Sequence, residues 1–492
     1  MADPYLLSAK RFLDLGDARG AEELARQSLA AGGEGAEALH LLAESLRRQG
    51  RLEEAGQAFK DVLKAQPENG GAWLGLGLVA EAGQDTQRAG EAFAKAVQFL
   101  PDSLEARLGL ASAHQAQGRG IAAAEAWLEA WLLKPKDFRL HNILWQALNE
   151  IAELGEGYVG AIAKGNEARA MGMSDEALAA YRSAQALRPD LPFAHSRAGC
   201  LLATAGELQG AEAEFLKARE RADWVETGIR LSPGFFQSLE EHRPALEILN
   251  LSPVSGPVVV VGCDAGYFSR YAATLHQSLV RCEDGKTGLH VHLVHPDAAC
   301  LKAARAMGAG ISVETPEFDG CSRNFVNTYY ASARFLALPR LLDAYGRPLL
   351  VMDIDAVLLK PLTPLWAAMS GADMAIRRLK GRMVDPWNQP QANLVGVSPT
   401  PGGKSFTDLL ARYLAHFVAK RQMFGFFDQT ALYSVLAAAG LALKEGAFPD
   451  DAYGYPSNRG ALSEELVYPP NLIVGEVKTP VTEAPNLVCR ET

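Results

Sequence analysis

Small and aromatic residues recur at fixed intervals along the first 220 or so positions. Ala21, Ala55, Ala89 and Ala123 stand 34 residues apart, and the spacing resumes at Ala177 and Ala211. Four residues after the last five of these come Phe59, Phe93, Trp127, Tyr181 and Phe215, a step that keeps both residues on one helix face. Twelve residues after four of the alanines come Pro67, Pro101, Pro135 and Pro189, which stop a helix. Gly16, Gly50, Gly118, Gly172 and Gly206 end the preceding helices, with Gly83 one place early in its unit. The pattern predicts stacked helix pairs, interrupted between Pro135 and Tyr158 by about 20 residues that read as an added helix from Phe138 onward. Past Trp224 the breakers Ser232-Pro233-Gly234, Arg243-Pro244 and Ser252-Pro253 mark a connector with one or two short helices. From Pro257 the period changes. Val258 to Val261 predicts a buried strand, Tyr267 to Leu279 a helix and His290 to Val294 a second strand, an alternation that implies a parallel-type α/β sheet.

The repeated half resembles the tetratricopeptide repeat, in which the small residue permits close packing and the aromatic fills the gap between units. The resemblance implies an all-α superhelix over residues 1–222, a helical connector over 223–256, and a concave surface that binds a protein partner. The competing reading is an array that only supports or dimerises the other half.

Composition narrows the classes. A chain of 492 residues is too long for one core, and 48% hydrophobic residues suffice to bury several. A formal charge of −10 argues against nonspecific nucleic-acid binding. No run approaches the ~20 apolar residues that span a bilayer, and the first residues lack a basic region followed by an apolar stretch. Cytoplasm is the expected location. The six cysteines, Cys200, Cys263, Cys282, Cys300, Cys321 and Cys489, are scattered, which fits reduced structural thiols.

Chemistry concentrates after the apolar run Leu349-Leu350-Val351-Met352, where Asp353 and Asp355 stand one residue apart. Both stand at the end of that strand, whose alternation aims them at one point. Paired carboxylates repel and are costly to bury without a cation, and Mg²⁺ or Mn²⁺ is the hard metal that such oxygens take.

In order, the second half resembles the nucleotide-sugar transferases of the GT-A fold, closest to glycosyltransferase family 8, the glycogenin and lipopolysaccharide galactosyltransferase group. The resemblance runs over residues 257 to 480 and implies a Rossmann-like α/β transferase domain within 257–492. Val261-Gly262-Cys263-Asp264-Ala265-Gly266-Tyr267 is similar to the family's opening strand and nucleotide loop, which implies that Asp264 and Tyr267 meet a uracil. Tyr330-Ala331-Ser332-Ala333-Arg334-Phe335 is similar to its arginine helix, which implies Arg334 beside a diphosphate. Asp353 and Asp355 match its metal-binding pair. Gln391-Ala392-Asn393-Leu394 matches loosely, with Asn393 near the donor, and Asp428-Gln429 matches the catalytic pair beside the anomeric carbon. Near the end, Gly475 and Lys478 keep the family pattern, with Lys478 meeting phosphate, but Leu472 stands where a metal-binding histidine belongs.

These pieces imply a metal-dependent, retaining hexosyltransferase that moves sugar from a UDP-sugar to a protein or glycan acceptor. Three bland readings stand beside it. The transferase region is degenerate and the protein a scaffold; or Asp353-Ile354-Asp355 opens a haloacid-dehalogenase-type phosphatase, with Asp450-Asp451 as its last acidic motif; or Asp428 merely caps a helix. His290, His292 and His295 alternate like metal ligands but lack partners at suitable spacing.

Overall fold

The computed structural model describes residues 3–32, 35–135, 137–152, 154–220, 228–241, 245–378, 387, 390–425 and 427–448. Lys478, Leu472, Gly475, Asp450 and Asp451 lie outside the described residues. The chain divides into two compact units, Met1–His195 and Ser196–Thr492.

The first unit is all helix. Helices α1 (Pro4–Asp14), α2 (Ala18–Ala30), α3 (Gly35–Arg48), α4 (Leu52–Ala65), α5 (Gly70–Ala82), α6 (Thr86–Phe99), α7 (Leu104–Ala116), α8 (Gly120–Leu133), α9 (Phe138–Asn149), α10 (Gly157–Ala170) and α11 (Ser174–Leu187) pack in sequence order. The recurrent aromatics are the fillers expected. Phe59 and Phe93 are buried, and a Cβ added at Gly77 would stand 2.5 Å from the Phe93 ring, so the glycine is the space the ring occupies. Gly16, Gly50, Gly118 and Gly172 take the left-handed conformation at helix ends. In the unit with the early glycine, Gln84 adopts φ 60° instead, a conformation that costs a side chain roughly 1–2 kcal/mol. The inserted segment is indeed a helix, α9, whose Trp145 and His141 rings stack at 6.4 Å; its Leu148 carbonyl accepts the Asn166 side-chain amide at 2.7 Å.

The second unit takes in most of α12 (Phe193–Thr204) and all of α13 (Leu208–Arg219), so the last helix pair of repeat character falls with the strand-bearing region. Phe215 fills the place of a Cβ at Gly199, repeating the packing rule of the array, and its ring meets Trp387 edge-on at 5.8 Å. Among its described residues the connector holds a short helix, α14 (Pro233–Gln237), and a strand, β1 (Glu247–Asn250).

Then come β2 (Val258–Asp264), α15 (Ala265–Glu283), β3 (Gly288–Val294), α16 (Ala298–Ala306), β4 (Gly310–Glu314), α17 (Arg323–Tyr345), β5 (Leu349–Met352), α18 (Thr363–Ala368), β6 (Met374–Arg378), β7 (Pro390–Val397), α19 (Pro401–Ala419), α20 (Phe427–Ala438) and β8 (Glu445–Ala447). The described strands form one sheet in the order β1-β4-β3-β2-β5-β7-β6-β8. Its centre, β4-β3-β2-β5, is parallel as expected, but β7 runs antiparallel to both β5 and β6, so the sheet is mixed. One face of β2 (Val259, Val261, Cys263) packs on Phe268, Leu275 and Leu279 of α15 and on α16. The other face takes α17. There Gly262 is required by contact: an added Cβ would come within 2.9 Å of the Arg334 Cβ and 3.0 Å of its backbone nitrogen.

Candidate functional site

The acidic pair does not lie on a strand. β5 ends at Met352, opposite Leu394, its pairing with β2 stops one residue earlier at Val351, and Asp353 to Asp355 form a turn in which the Ala356 N–H reaches the Asp353 carbonyl at 3.3 Å. With no neighbouring strand left to bond, the backbone turns. The expectation of two carboxylates aimed at one point by strand alternation is therefore corrected. Ile354 drops into the core, Asp355 is exposed, and the Asp353 side chain is one-third exposed.

The turn is held from behind by α15. The buried Glu283 carboxylate accepts the Leu362 N–H and the Thr287 hydroxyl, both at 2.5 Å, and the Trp366 indole N–H at 3.3 Å. Ser278 Oγ accepts the Leu358 N–H at 3.0 Å. These bonds fix the segment leaving the acidic turn, so the turn is not free to drift from the sheet.

Arg334 is the centre of the constellation. Close packing of α17 on Gly262 delivers its buried guanidinium beneath the turn, where one nitrogen stands 2.7 Å from Asp353 Oδ1, 3.3 Å from Asp428 Oδ2 and 3.2 Å from the Ala392 carbonyl. Asp428 lies one residue inside α20 rather than at its cap position, and its other oxygen accepts the Gln429 N–H at 2.9 Å. Burial pushes the Asp428 carboxyl above the usual carboxylate range; Arg334 opposes that shift and Asp353 adds to it. Gln429 is half-buried beside it. Asn393 sits one step past the Met352–Leu394 pair, the ladder position that faces Asp353, and its amide oxygen is buried with no hydrogen-bond partner among the described residues. Four separate elements thus bring Arg334, Asp353, Asp428 and Asn393 together.

Asp264 and Tyr267 stand at the carboxyl end of β2, the side of the sheet where ligands of parallel strands bind. Asp264 caps α15 by accepting the Tyr267 N–H at 2.7 Å, a structural duty additional to the one expected of it. Tyr267 is 42% exposed, with the Tyr271 ring at 5.4 Å. Among the described residues no trio of His, Cys, Asp or Glu gathers as a metal-binding group. The oxygens of Asp353 and Asp355 are a two-residue set of the hard-donor kind. A polar feature that sequence reasoning set aside for want of partners, the burial of His290 and His292 among hydroxyl and carboxylate groups, lies on the α17 face of the same sheet. Its signal was present: Ser312 and Glu314 alternate along β4 just as the histidines do along β3.

None of the described helices is long and apolar enough to cross a membrane. None of the curated proteins compared with the chain matches it. Solved structures similar to it include TTC0263, a thermophilic TPR protein of Thermus thermophilus (19% identity, 38% of this chain and 90% of that one, TM-score 0.25). A tetratricopeptide repeat protein from Parabacteroides merdae ATCC 43184 (18%, 44% and 91%, TM-score 0.26) and MamA of AMB-1 (20%, 37% and 89%, TM-score 0.27) are others. At these TM-scores the likenesses carry no argument. The tetratricopeptide repeat family model matches residues 6–69 and 57–103, and with the helix pairs described above it establishes that the N-terminal region is built of tetratricopeptide repeats.

Proposed function

We propose that the strand-bearing region binds a UDP-linked sugar and transfers the sugar to a protein or glycan acceptor, with the repeat array recruiting the acceptor or a partner. The observation that carries this reading is the convergence of Arg334, Asp353, Asp428 and Asn393 at the strand ends. Arg334 faces two carboxyl groups, Asp353 and the buried Asp428, and Asp355 stands exposed beside them. Asp353 and Asp355 offer the hard oxygen donors that would hold Mn²⁺ or Mg²⁺. When bound, such an ion makes a nucleoside diphosphate a better leaving group.

The chain's own groups supply the rest. Arg334 orients the acidic turn and offers positive charge to a diphosphate oxygen. Asn393 presents a buried acceptor suited to a sugar hydroxyl, because a buried amide oxygen without a donor is costly until one arrives. Asp428 and Gln429 would stand by the anomeric carbon, where a carboxylate stabilises developing positive charge. Tyr267 offers an exposed ring to a pyrimidine. Lys478, outside the described residues, is assigned to phosphate by the sequence pattern alone. The setting proposed for the reaction is the cytoplasm, where scattered cysteines stay reduced.

The test is hydrolysis of a panel of UDP- and GDP-sugars with Mn²⁺, comparing the chain with Asp355→Ala. Turnover of a UDP-sugar that falls at least about a hundredfold in the variant is expected; turnover that survives would remove the metal assignment. One observation favours a second reading, a scaffold whose transferase region binds without turnover: Asp353 Oδ1 is already committed to Arg334 at 2.7 Å. UDP-dependent thermal stabilisation with no donor hydrolysis would decide for it.

A further inference from the structure

A chain of buried polar side chains crosses the sheet face that α17 covers. The Tyr345 hydroxyl accepts the Ser252 N–H at 2.9 Å and stands 2.8 Å from His290 Nδ1. His290 Nε2 and His292 Nδ1 are each 2.9 Å from Ser312 Oγ. His292 Nε2 lies 3.2 Å from Glu314 Oε1, an electrostatic contact off the line of a straight hydrogen bond, and the Tyr329 hydroxyl donates to that same oxygen at 3.0 Å. His290, His292 and Ser312 are fully buried and Glu314 nearly so. A core that needed only packing would place aliphatic residues here, since polar groups so deep are costly unless each finds a partner.

The direction of the chain follows from its acidic end. A carboxylate only accepts, so the Tyr329 hydroxyl donates to Glu314, and the same charge, 3.2 Å from His292 Nε2, favours the hydrogen on that nitrogen without a straight hydrogen bond. His292 Nδ1 then accepts the Ser312 hydroxyl hydrogen. With that hydrogen spent, Ser312 accepts from His290 Nε2, and His290 Nδ1 accepts from Tyr345, whose own acceptor side takes the Ser252 N–H. Burial, with His292 nearby, pushes the His290 imidazole down to about 3, in keeping with a neutral ring.

Both ends of this chain belong to α17. Tyr329 and Tyr345 are sixteen residues apart, about 24 Å along a helix, and Pro339 stands between them. The proline offers no N–H to the Phe335 carbonyl, so the two halves of α17 are coupled to each other less firmly than in an unbroken helix. Each is tied separately to β3 and β4. Arg334 lies between the ties, and Gly310 keeps the far junction open, since a Cβ there would meet His290 Nδ1 at 2.5 Å.

We propose that the chain Tyr345–His290–Ser312–His292–Glu314–Tyr329 is a positioning device that pins both halves of α17 and thereby sets where Arg334 meets Asp353 and Asp428. His292 and Glu314 are positioning residues, and the proposal rests on Arg334 being the group that meets an anionic ligand. Selective ¹⁵N-histidine labelling of the full chain, assigned with His290→Gln and His292→Gln, is expected to show both rings as the Nε2–H tautomer. Glu314→Ala is expected to speed amide exchange from Tyr329 to Arg334 and to weaken UDP–Mn²⁺ binding about tenfold. Glu314→Gln, whose amide oxygen still faces both hydrogens, is expected to restore both. If Glu314→Ala does not fold, Tyr329→Phe, which deletes one hydroxyl, carries the exchange measurement. An Nδ1–H tautomer at either ring, or exchange in α17 as slow as in the parent chain, would overturn the device. Absence of UDP binding in the parent chain would instead overturn the functional reading, with the tautomer and exchange results still deciding the network.

Discussion

The repeat array and the strand-bearing region handle charge in opposite ways. In the array the ion pairs sit at the surface or half-buried: Glu22 meets Arg26 and Arg51, and Glu44 meets Arg47 and Arg48, none of them deep. The inter-helix gaps are filled by rings against glycines. The strand-bearing region instead buries Arg334, Asp428, Glu283, Glu314, His290 and His292. Surface pairs add little stability, whereas buried charges are costly and are tolerated only with well-matched partners. The array is thus stabilised chiefly by repetition of shape, and the other region spends part of its stability on holding charged groups in place. That contrast is the physical ground for looking for chemistry in the second region and for recognition in the first.

The contrast can be broken or sharpened by substitution. The largest effect belongs to Phe93→Ala, which empties the space between Gly77 and Gly109 and should cost about 3–5 kcal/mol. Chemical denaturation monitored by helix signal should show that loss in the array; a loss below about 1 kcal/mol would mean that shape repetition is not what holds it. Next, Glu283→Gln turns one of the two accepting oxygens into a donor, so either the Leu362 N–H or the Thr287 and Trp366 pair loses its acceptor, and it should cost about 2 kcal/mol while also lowering donor turnover. Stability lost with turnover intact would show that Glu283 does not position the acidic turn.

Acid should separate the regions too. Burial lowers the His290 imidazole from 6.5 to about 3, so the stability that its neutral ring contributes is complete above 6.5 and is lost as pH falls through that window. At about 1.4 kcal/mol per pH unit, the strand-bearing region should lose about 2 kcal/mol between pH 6.5 and pH 5. Urea midpoints at the two pH values measure this, and His290→Gln should flatten the slope. The smallest effect is a gain: Gln84→Gly relieves the left-handed φ of 60° and should raise array stability by about 1 kcal/mol. A decrease in the denaturation midpoint would show that the Gln84 side chain contributes more than its backbone costs.

How much could be read beforehand differed between the regions for a physical reason. Phe59, Phe93, Tyr181 and Phe215 were legible because the array repeats one local contact, so spacing alone identifies the buried face. The β2 and β5 runs were legible from their unbroken apolar character. The turn at Asp353 was not, because where β5 ends depends on where β2 and β7 stop pairing with it, and those partners are remote in sequence. The antiparallel course of β7 is hidden for the same reason. Motif order singled out Arg334 as a residue beside a diphosphate, yet its simultaneous contact with Asp353 and with Asp428, 94 residues away, is a property of the packed sheet alone.

The allegiance of the last repeat-like helices sets how the protein can be taken apart. Sequence period assigns α12 and α13 to the array, but Phe215 of α13 packs edge-on against Trp387, and both are buried. Severing the chain at residue 222 or 257 would strip the strand-bearing part of that ring and leave an indole bare to water. A fragment meant to carry the acidic turn in working order therefore has to start ahead of α12, and a helix pair of repeat character serves there as a wall of the strand-bearing module.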